Sequence, residues 1–245
     1  MTKIIAHRGA GGWDVQYAPE NTISAFRLAL EMGADAIEMD VQISRDGALV
    51  VCHDEMIDRT SDGVGAVNAY TLEELRRFNF CSVHTEYGFV EIPTLEDVLT
   101  LIKDKDILLN IELKTGLAYY PDIEKKTVDT VRAYGLTTRV LYSSFNYESL
   151  LKPRAYDADA RIGVLCAADY VRIPEDIHRL WAEAVHPPQA IVTSEYVEKC
   201  HTHGIAVNTW TVNNRERMRE LIAMGVDGIF TDCPVTGRGI LIGEG

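Results

Sequence analysis

The chain has 245 residues, which suits one large α/β domain, and 47% of them are apolar, enough for a sizeable core. A formal net charge of −13 argues against a general nucleic-acid or anionic-membrane binder, and an anionic substrate would need a local cation to offset that field. The N-terminus lacks the long apolar core of a signal peptide, and no apolar run is long enough to span a bilayer, so the expectation is a cytoplasmic protein without membrane insertion.

Short apolar strands alternate with helical patterns from end to end. Lys3 to Ala6 reads as a strand, closed by His7, Arg8 and Gly9 and followed by a polar, Gly-rich loop. Asn21 is a candidate cap for a helix over Thr22 to Met32, in which Ile23, Phe26 and Leu30 fall near helical spacing. A second strand starts at Ala36. The stretch from Asp54 to Pro93 breaks the rhythm and reads as an insertion over the strand ends, with a short helix from Thr71 to Phe78. The rhythm then resumes with a helix over Thr94 to Lys103 and a strand over Asp106 to Leu113. Helices are expected at Pro121 to Tyr134, Tyr147 to Tyr156, Pro174 to Trp181, Thr193 to His203 and Asn213 to Met224, with a last short one over Pro234 to Leu241. Strands are expected at Arg139 to Ser143, Arg161 to Leu165, Glu183 to His186, Ile205 to Thr209 and Val226 to Thr231. Eight strands alternating with helices point to a closed parallel (β/α)8 TIM barrel in a single domain over residues 1–245, with the insertion at 54–93 after the second strand. The alternative, a doubly wound open sheet, usually carries a G-x-G-x-x-G turn after its first strand, and H-R-G-A-G-G-W is not one.

The second strand holds the most unusual chemistry. In A-I-E-M-D-V-Q-I, residues two apart share a face, so Glu38 and Asp40 point together. Two carboxylates on one face of an apolar strand resist burial unless a cation, a shared proton or water accompanies them. Asp46-Gly47 is a hairpin turn signal, and a returning strand over Ala48 to Cys52 would deliver His53 beside the acids.

In a barrel the C-terminal strand ends converge on one mouth, where active sites sit. The expected strands place there His7 and Arg8, Glu38 and Asp40, Glu112 and Lys114, Ser144 and Phe145, Trp210, and Asp232. Glu38, Asp40 and Glu112 form an oxygen-only ligand set that favours one hard divalent cation, Mg²⁺ or Ca²⁺. Arg8 supplies a planar fork and Lys114 a point charge for phosphate oxygens. The competing reading is an ion network of these acids and bases with no ligand. His7 and His53 are the histidines placed at the mouth by motifs, and histidine titrates near neutral pH. His84, His178, His186, His201 and His203 lack that context; Pro187 and Pro188 after His186 suggest a structural turn. Trp210 reads equally as core or as an apolar wall of a pocket. The five cysteines are scattered without a C-x-x-C and read as reduced, buried thiols.

Nine motifs in order resemble the glycerophosphodiester phosphodiesterase family: H-R-G (7–9), P-E-N-T (19–22), E-M-D (38–40), H-D (53–54), P-T-L-E-D (93–97), I-E-L-K (111–114), S-S-F (143–145), W-T-V-N (210–213) and V-D-G-I-F-T-D-C-P (226–234). The resemblance implies a barrel hydrolysing glycerophosphodiesters, such as glycerophosphocholine and glycerophosphoethanolamine, to sn-glycerol 3-phosphate and an alcohol. It implies Glu38, Asp40 and Glu112 as metal ligands, His7 and His53 as the acid–base pair, Arg8 and Lys114 on phosphate, Trp210 lining the pocket and Glu20 in support. The loop over residues 10–18, with Trp13 and Tyr17, is longer than the family's usual form and bears on which alcohol is accepted. Rival readings are a lysophospholipase D or cyclising phosphodiesterase on the same barrel, and a non-catalytic phosphodiester-binding protein.

Overall fold

A computed structural model describes residues 1–12, 17–81, 84–118, 120–167 and 175–243. Trp13 and the start of the helix expected from Pro174 lie outside the described residues. Eight strands run parallel: β1 (Lys3–Ala6), β2 (Ala36–Ile43), β4 (Leu108–Leu113), β5 (Val140–Ser144), β6 (Arg161–Leu165), β7 (Ala184–His186), β8 (Ala206–Thr209) and β9 (Gly228–Thr231). The sheet order is β1-β9-β8-β7-β6-β5-β4-β2-β3, and pairing of Ile5 with Ala36 joins β1 to β2 and closes the barrel. β3 (Leu49–Val51) is the exception, lying antiparallel on β2.

The helices pack outside: α1 (Ile23–Glu31), α2 (Leu72–Leu75), α3 (Leu95–Ile102), α4 (Ile123–Ala133), α5 (Tyr147–Leu150), α6 (Pro153–Tyr156), α7 (Glu175–Arg179), α8 (Ser194–His201), α9 (Arg215–Met224) and α10 (Pro234–Leu241). Their apolar sides meet the strands in one large core that includes Phe26, Leu99, Val131 and Leu221. Two local expectations give way. The cap of α1 is Thr22, which is extended and accepts from the Ala25 N–H, whereas Asn21 sits one residue earlier at φ 56°. The helix expected over Tyr147 to Tyr156 is two short helices, because Pro153 has no N–H to continue the first and instead starts the second.

Between β3 and α3 the chain builds a smaller apolar cluster of its own from Ile57, Val67, Leu75, Phe80 and Ile92, packed on Val50 and Cys52 of the β3 arm. No helix among the described residues is long and apolar enough to cross a membrane.

Candidate active site

Every residue of β2 is buried, so Glu38 and Asp40 are buried with it. The parallel register pairs Asp40 with Glu112 on β4, which makes the two carboxylates cross-strand neighbours. Ligand oxygens of Glu38, Asp40 and Glu112 all lie within 4.8 Å of one another. Arg8 follows β1 at φ 53°, a left-handed conformation that is strained for a side chain of this size; it turns the Arg8 N–H onto Glu38 Oε2 at 2.8 Å.

The cations expected at the mouth are held by these acids. Arg8 donates to Glu20 Oε1 at 2.8 Å and stands 3.7 Å from Asp40 Oδ2. Lys114 Nζ lies 2.9 Å from Glu112 Oε1 and 3.5 Å from Asp40 Oδ1. Burial alone would raise the Asp40 pKa, but His53, Lys114, Arg8 and the Asn21 amide together hold its carboxyl well below the ordinary range. Glu38 goes the other way: burial and the adjacent Asp40 and Glu112 push it well above a normal glutamate. Despite the ion pairs, buried Asp40 Oδ1 accepts no hydrogen bond. An orphaned acceptor inside three clustered carboxylates fits a hard, oxygen-seeking cation.

His7 and His53 line the same cavity as Glu38 and Glu112. The Asp46-Gly47 turn, with Gly47 at φ 87°, sends β3 back along β2, and the Cys52 N–H donates to the Asp40 carbonyl at 3.0 Å. His53 is the next residue. Gln42, on the same face of β2 as the two acids, donates its amide to the carbonyls of Cys52, His53 and Asp54 at 2.8, 3.2 and 2.7 Å. The segment carrying His53 is thus pinned to the strand carrying the carboxylates.

Each histidine is backed by an aspartate. His7 Nδ1 lies 2.7 Å from Asp232 Oδ1, and His53 Nδ1 lies 2.5 Å from Asp54 Oδ1. In both, the nitrogen paired with aspartate is Nδ1, which leaves Nε2 as the other ring nitrogen. Burial lowers the His7 pKa below 6.5, against the opposing pull of Asp232. Burial raises Asp232, but its hydrogen bond with His7 brings it below a normal aspartate.

The far wall of the cavity is apolar: Phe145, Leu165, Trp210 and Phe230 complete a space of about 280 Å³. Trp210 packs edge-on against Phe145 with ring centroids 5.8 Å apart, and its indole N–H donates to the His186 carbonyl at 2.7 Å. Trp210 therefore faces the cavity and packs on its neighbours at once. His186 ends β7, fully buried in the barrel interior against Phe230, and burial lowers its pKa to about 3. His201 and His203 are exposed.

Several residues of this arrangement carried no role in the sequence reading. Asn21, a helix cap by residue type, donates to Asp40 Oδ2 at 2.8 Å. Gln42 was signalled by the same two-residue period as Glu38 and Asp40. Asp54 adjoins His53 in the H-D motif, and Asp232 was placed at the mouth without a partner.

Comparison with known proteins gives a consistent picture. Residues 7–236 match the glycerophosphoryl diester phosphodiesterase family. A glycerophosphodiester phosphodiesterase of Caldanaerobacter subterraneus subsp. tengcongensis is 42% identical over 236 residues, 96% of each chain. One from Bacillus altitudinis is 41% identical over 239 residues, again 96% of each. Among solved structures, an Oleispira antarctica phosphodiesterase in complex with the product sn-glycerol-3-phosphate superposes with a TM-score of 0.87 at 29% identity, covering 99% of this chain and 97% of that one.

Proposed function

Because this chain is an enzyme of the glycerophosphoryl diester phosphodiesterase family, we propose that it hydrolyses glycerophosphodiesters to sn-glycerol 3-phosphate and an alcohol, with one divalent cation and with His7 and His53 as its acid–base pair. The observation that supports this reading most is the pairing of two aspartate-backed histidines with a buried cluster of three carboxylates around one cavity. The Oleispira antarctica enzyme, of the same fold, binds sn-glycerol-3-phosphate, which supports the substrate class.

Glu38, Asp40 and Glu112 would hold the cation, Mg²⁺ or Ca²⁺, which when bound supplies positive charge to the phosphate oxygens. Arg8 and Lys114 add two fixed cations at the same carboxylates, so negative charge gathering on the non-bridging oxygens meets a preorganised positive field. Asp232 holds the proton of His7 on Nδ1, which leaves Nε2 basic, and burial shifts that imidazole toward its neutral form. His7 is therefore the base. It takes a proton either from the glycerol 2-hydroxyl, giving a cyclic phosphate that water opens, or from water directly. His53 is the acid and protonates the leaving alkoxide, whose own pKa is too high for easy departure at pH 7. The apolar wall of Phe145, Leu165, Trp210 and Phe230 would take the carbon chain. That wall also favours a second substrate reading, a lysophospholipid whose acyl chain lies along it. All five cysteines are free and buried, in keeping with a cytoplasmic site of action.

The test is release of sn-glycerol 3-phosphate from glycerophosphocholine and glycerophosphoethanolamine in chelator, and then with Mg²⁺ or Ca²⁺ restored. Release lost in chelator and recovered with metal supports the reading. Full release in excess chelator refutes the metal claim. Cleavage of lysophosphatidylcholine alone moves the assignment to the second reading.

A further inference from the structure

We propose that Arg59, a residue outside the barrel strands, is a positioning residue for both halves of the active site. It locks the His53 dyad to the turn after β1 that carries Arg8. The inference rests on the roles proposed above for His53 and Arg8.

The guanidinium of Arg59 has two carboxylates on two of its edges. Nε donates to Asp54 Oδ2 at 2.6 Å, while the two terminal nitrogens donate to Glu20 Oε2 at 2.6 Å and Glu20 Oε1 at 2.7 Å. Each carboxylate has a second partner at the site. The other oxygen of Asp54 takes His53 Nδ1 at 2.5 Å, and Glu20 Oε1 also takes Arg8 at 2.8 Å. The result is a continuous path His53–Asp54–Arg59–Glu20–Arg8. Its second and fourth members, Asp54 and Glu20, are the carboxylates that tie the other three together.

Two consequences follow from charge and geometry. The His53 side chain is 31% exposed, so its orientation depends on Asp54, and Asp54, at 28%, depends in turn on Arg59. Glu20 is nearly fully buried, and its charge is divided between two arginines. Without Arg59, Glu20 would draw Arg8 alone, away from the cavity where it meets phosphate. Only a planar fork spans both carboxylates; a lysine restores the charge but reaches one of them. The base of Arg59 is itself fixed, because fully buried Ile57 anchors the turn through its carbonyl, which accepts the Ser61 N–H at 2.9 Å.

A purely structural arginine would staple residues 54–93 to the barrel and change only stability. The test separates the two. Steady-state kinetics are measured well below the melting temperature of Arg59→Gln and Arg59→Lys, alone and combined with Asp54→Asn or Glu20→Gln. Both Arg59 variants are expected to lower kcat on the order of 10²-fold, the effect of a small misplacement of a reacting group, and to raise KM. In the Asp54→Asn background the further loss of kcat from Arg59→Gln should nearly vanish, because the link is already cut; in the Glu20→Gln background the rise in KM should do the same. Wild-type kcat and KM in folded Arg59→Lys would overturn the proposal, as would losses that simply multiply in the double variants. His53→Ala is the separate control: full activity there would overturn the acid–base reading, and this inference with it.

Discussion

Replacing Asp232 with asparagine changes one atom's chemistry and almost no volume, yet the structure makes its outcome specific. Asp232 touches His7 with one oxygen, at 2.7 Å, and Asn213 with the other, at 2.8 Å. The Asn213 amide cannot turn over, because its oxygen already accepts the Asp232 N–H at 2.9 Å and the Thr231 hydroxyl at 3.2 Å. Its nitrogen must therefore keep donating toward residue 232. An asparagine there has to present its oxygen to Asn213 and its NH₂ to His7. His7 Nδ1 then becomes an acceptor, the ring proton moves to Nε2, and the atom needed as base is blocked. Loss of a general base costs about 10²–10⁴ in rate, or about 3–5 kcal/mol of barrier. The exchange of one charge-assisted hydrogen bond for a neutral one costs stability only about 1–2 kcal/mol. The assay is kcat/KM for glycerophosphocholine beside a thermal melt. Asp232→Asn with a loss under threefold would refute the tautomer argument and, with it, His7 as the base.

Two further outcomes follow from the same geometry. A Cβ placed on Gly12 would fall 1.6 Å from Asp232 Oδ1, so Gly12→Ala must turn that carboxylate away from His7; kcat should drop toward the Asp232→Asn value, with an overpacking cost of about 1–3 kcal/mol in a denaturant melt, and wild-type kcat would count against the close contact. His186, held near a pKa of about 3 by burial, refuses a proton that the unfolded chain accepts from about pH 6.5 downward, so its contribution to stability is whole above 6.5 and is lost as pH falls toward 3, by up to about 5 kcal/mol. Urea melts from pH 7 to 4 should slope less steeply in His186→Gln than in the parent, and equal slopes would contradict the assignment.

The barrel was readable from the sequence because each strand is a short apolar run and each helix an amphipathic one, a pattern set by neighbours in the chain. The carboxylate cluster was readable for the same reason, since Glu38 and Asp40 obey the two-residue period of β2. Partner choice was not readable. Asp232 is 225 residues from His7, and only the closure of β9 on β1 brings them together. Asn21 is a good cap by residue type; its left-handed backbone hands that task to Thr22 and frees its amide for Asp40, a decision made by contacts across the mouth. The break at Pro153 shows the converse, a local signal that the helix expected over Tyr147 to Tyr156 ran across.

The smaller apolar cluster around Ile57, Val67, Leu75, Phe80 and Ile92 has a consequence for how the enzyme fails. His53, the proposed acid, is mounted on the arm that this cluster backs, whereas His7, the proposed base, and the three carboxylates are mounted on the barrel itself. A contiguous, separately packed unit opens at a lower free energy than the whole molecule. Heating should therefore displace His53, and with Arg59 the support of Arg8, before the barrel melts. The enzyme would go silent while its barrel is still compact, and would recover on cooling.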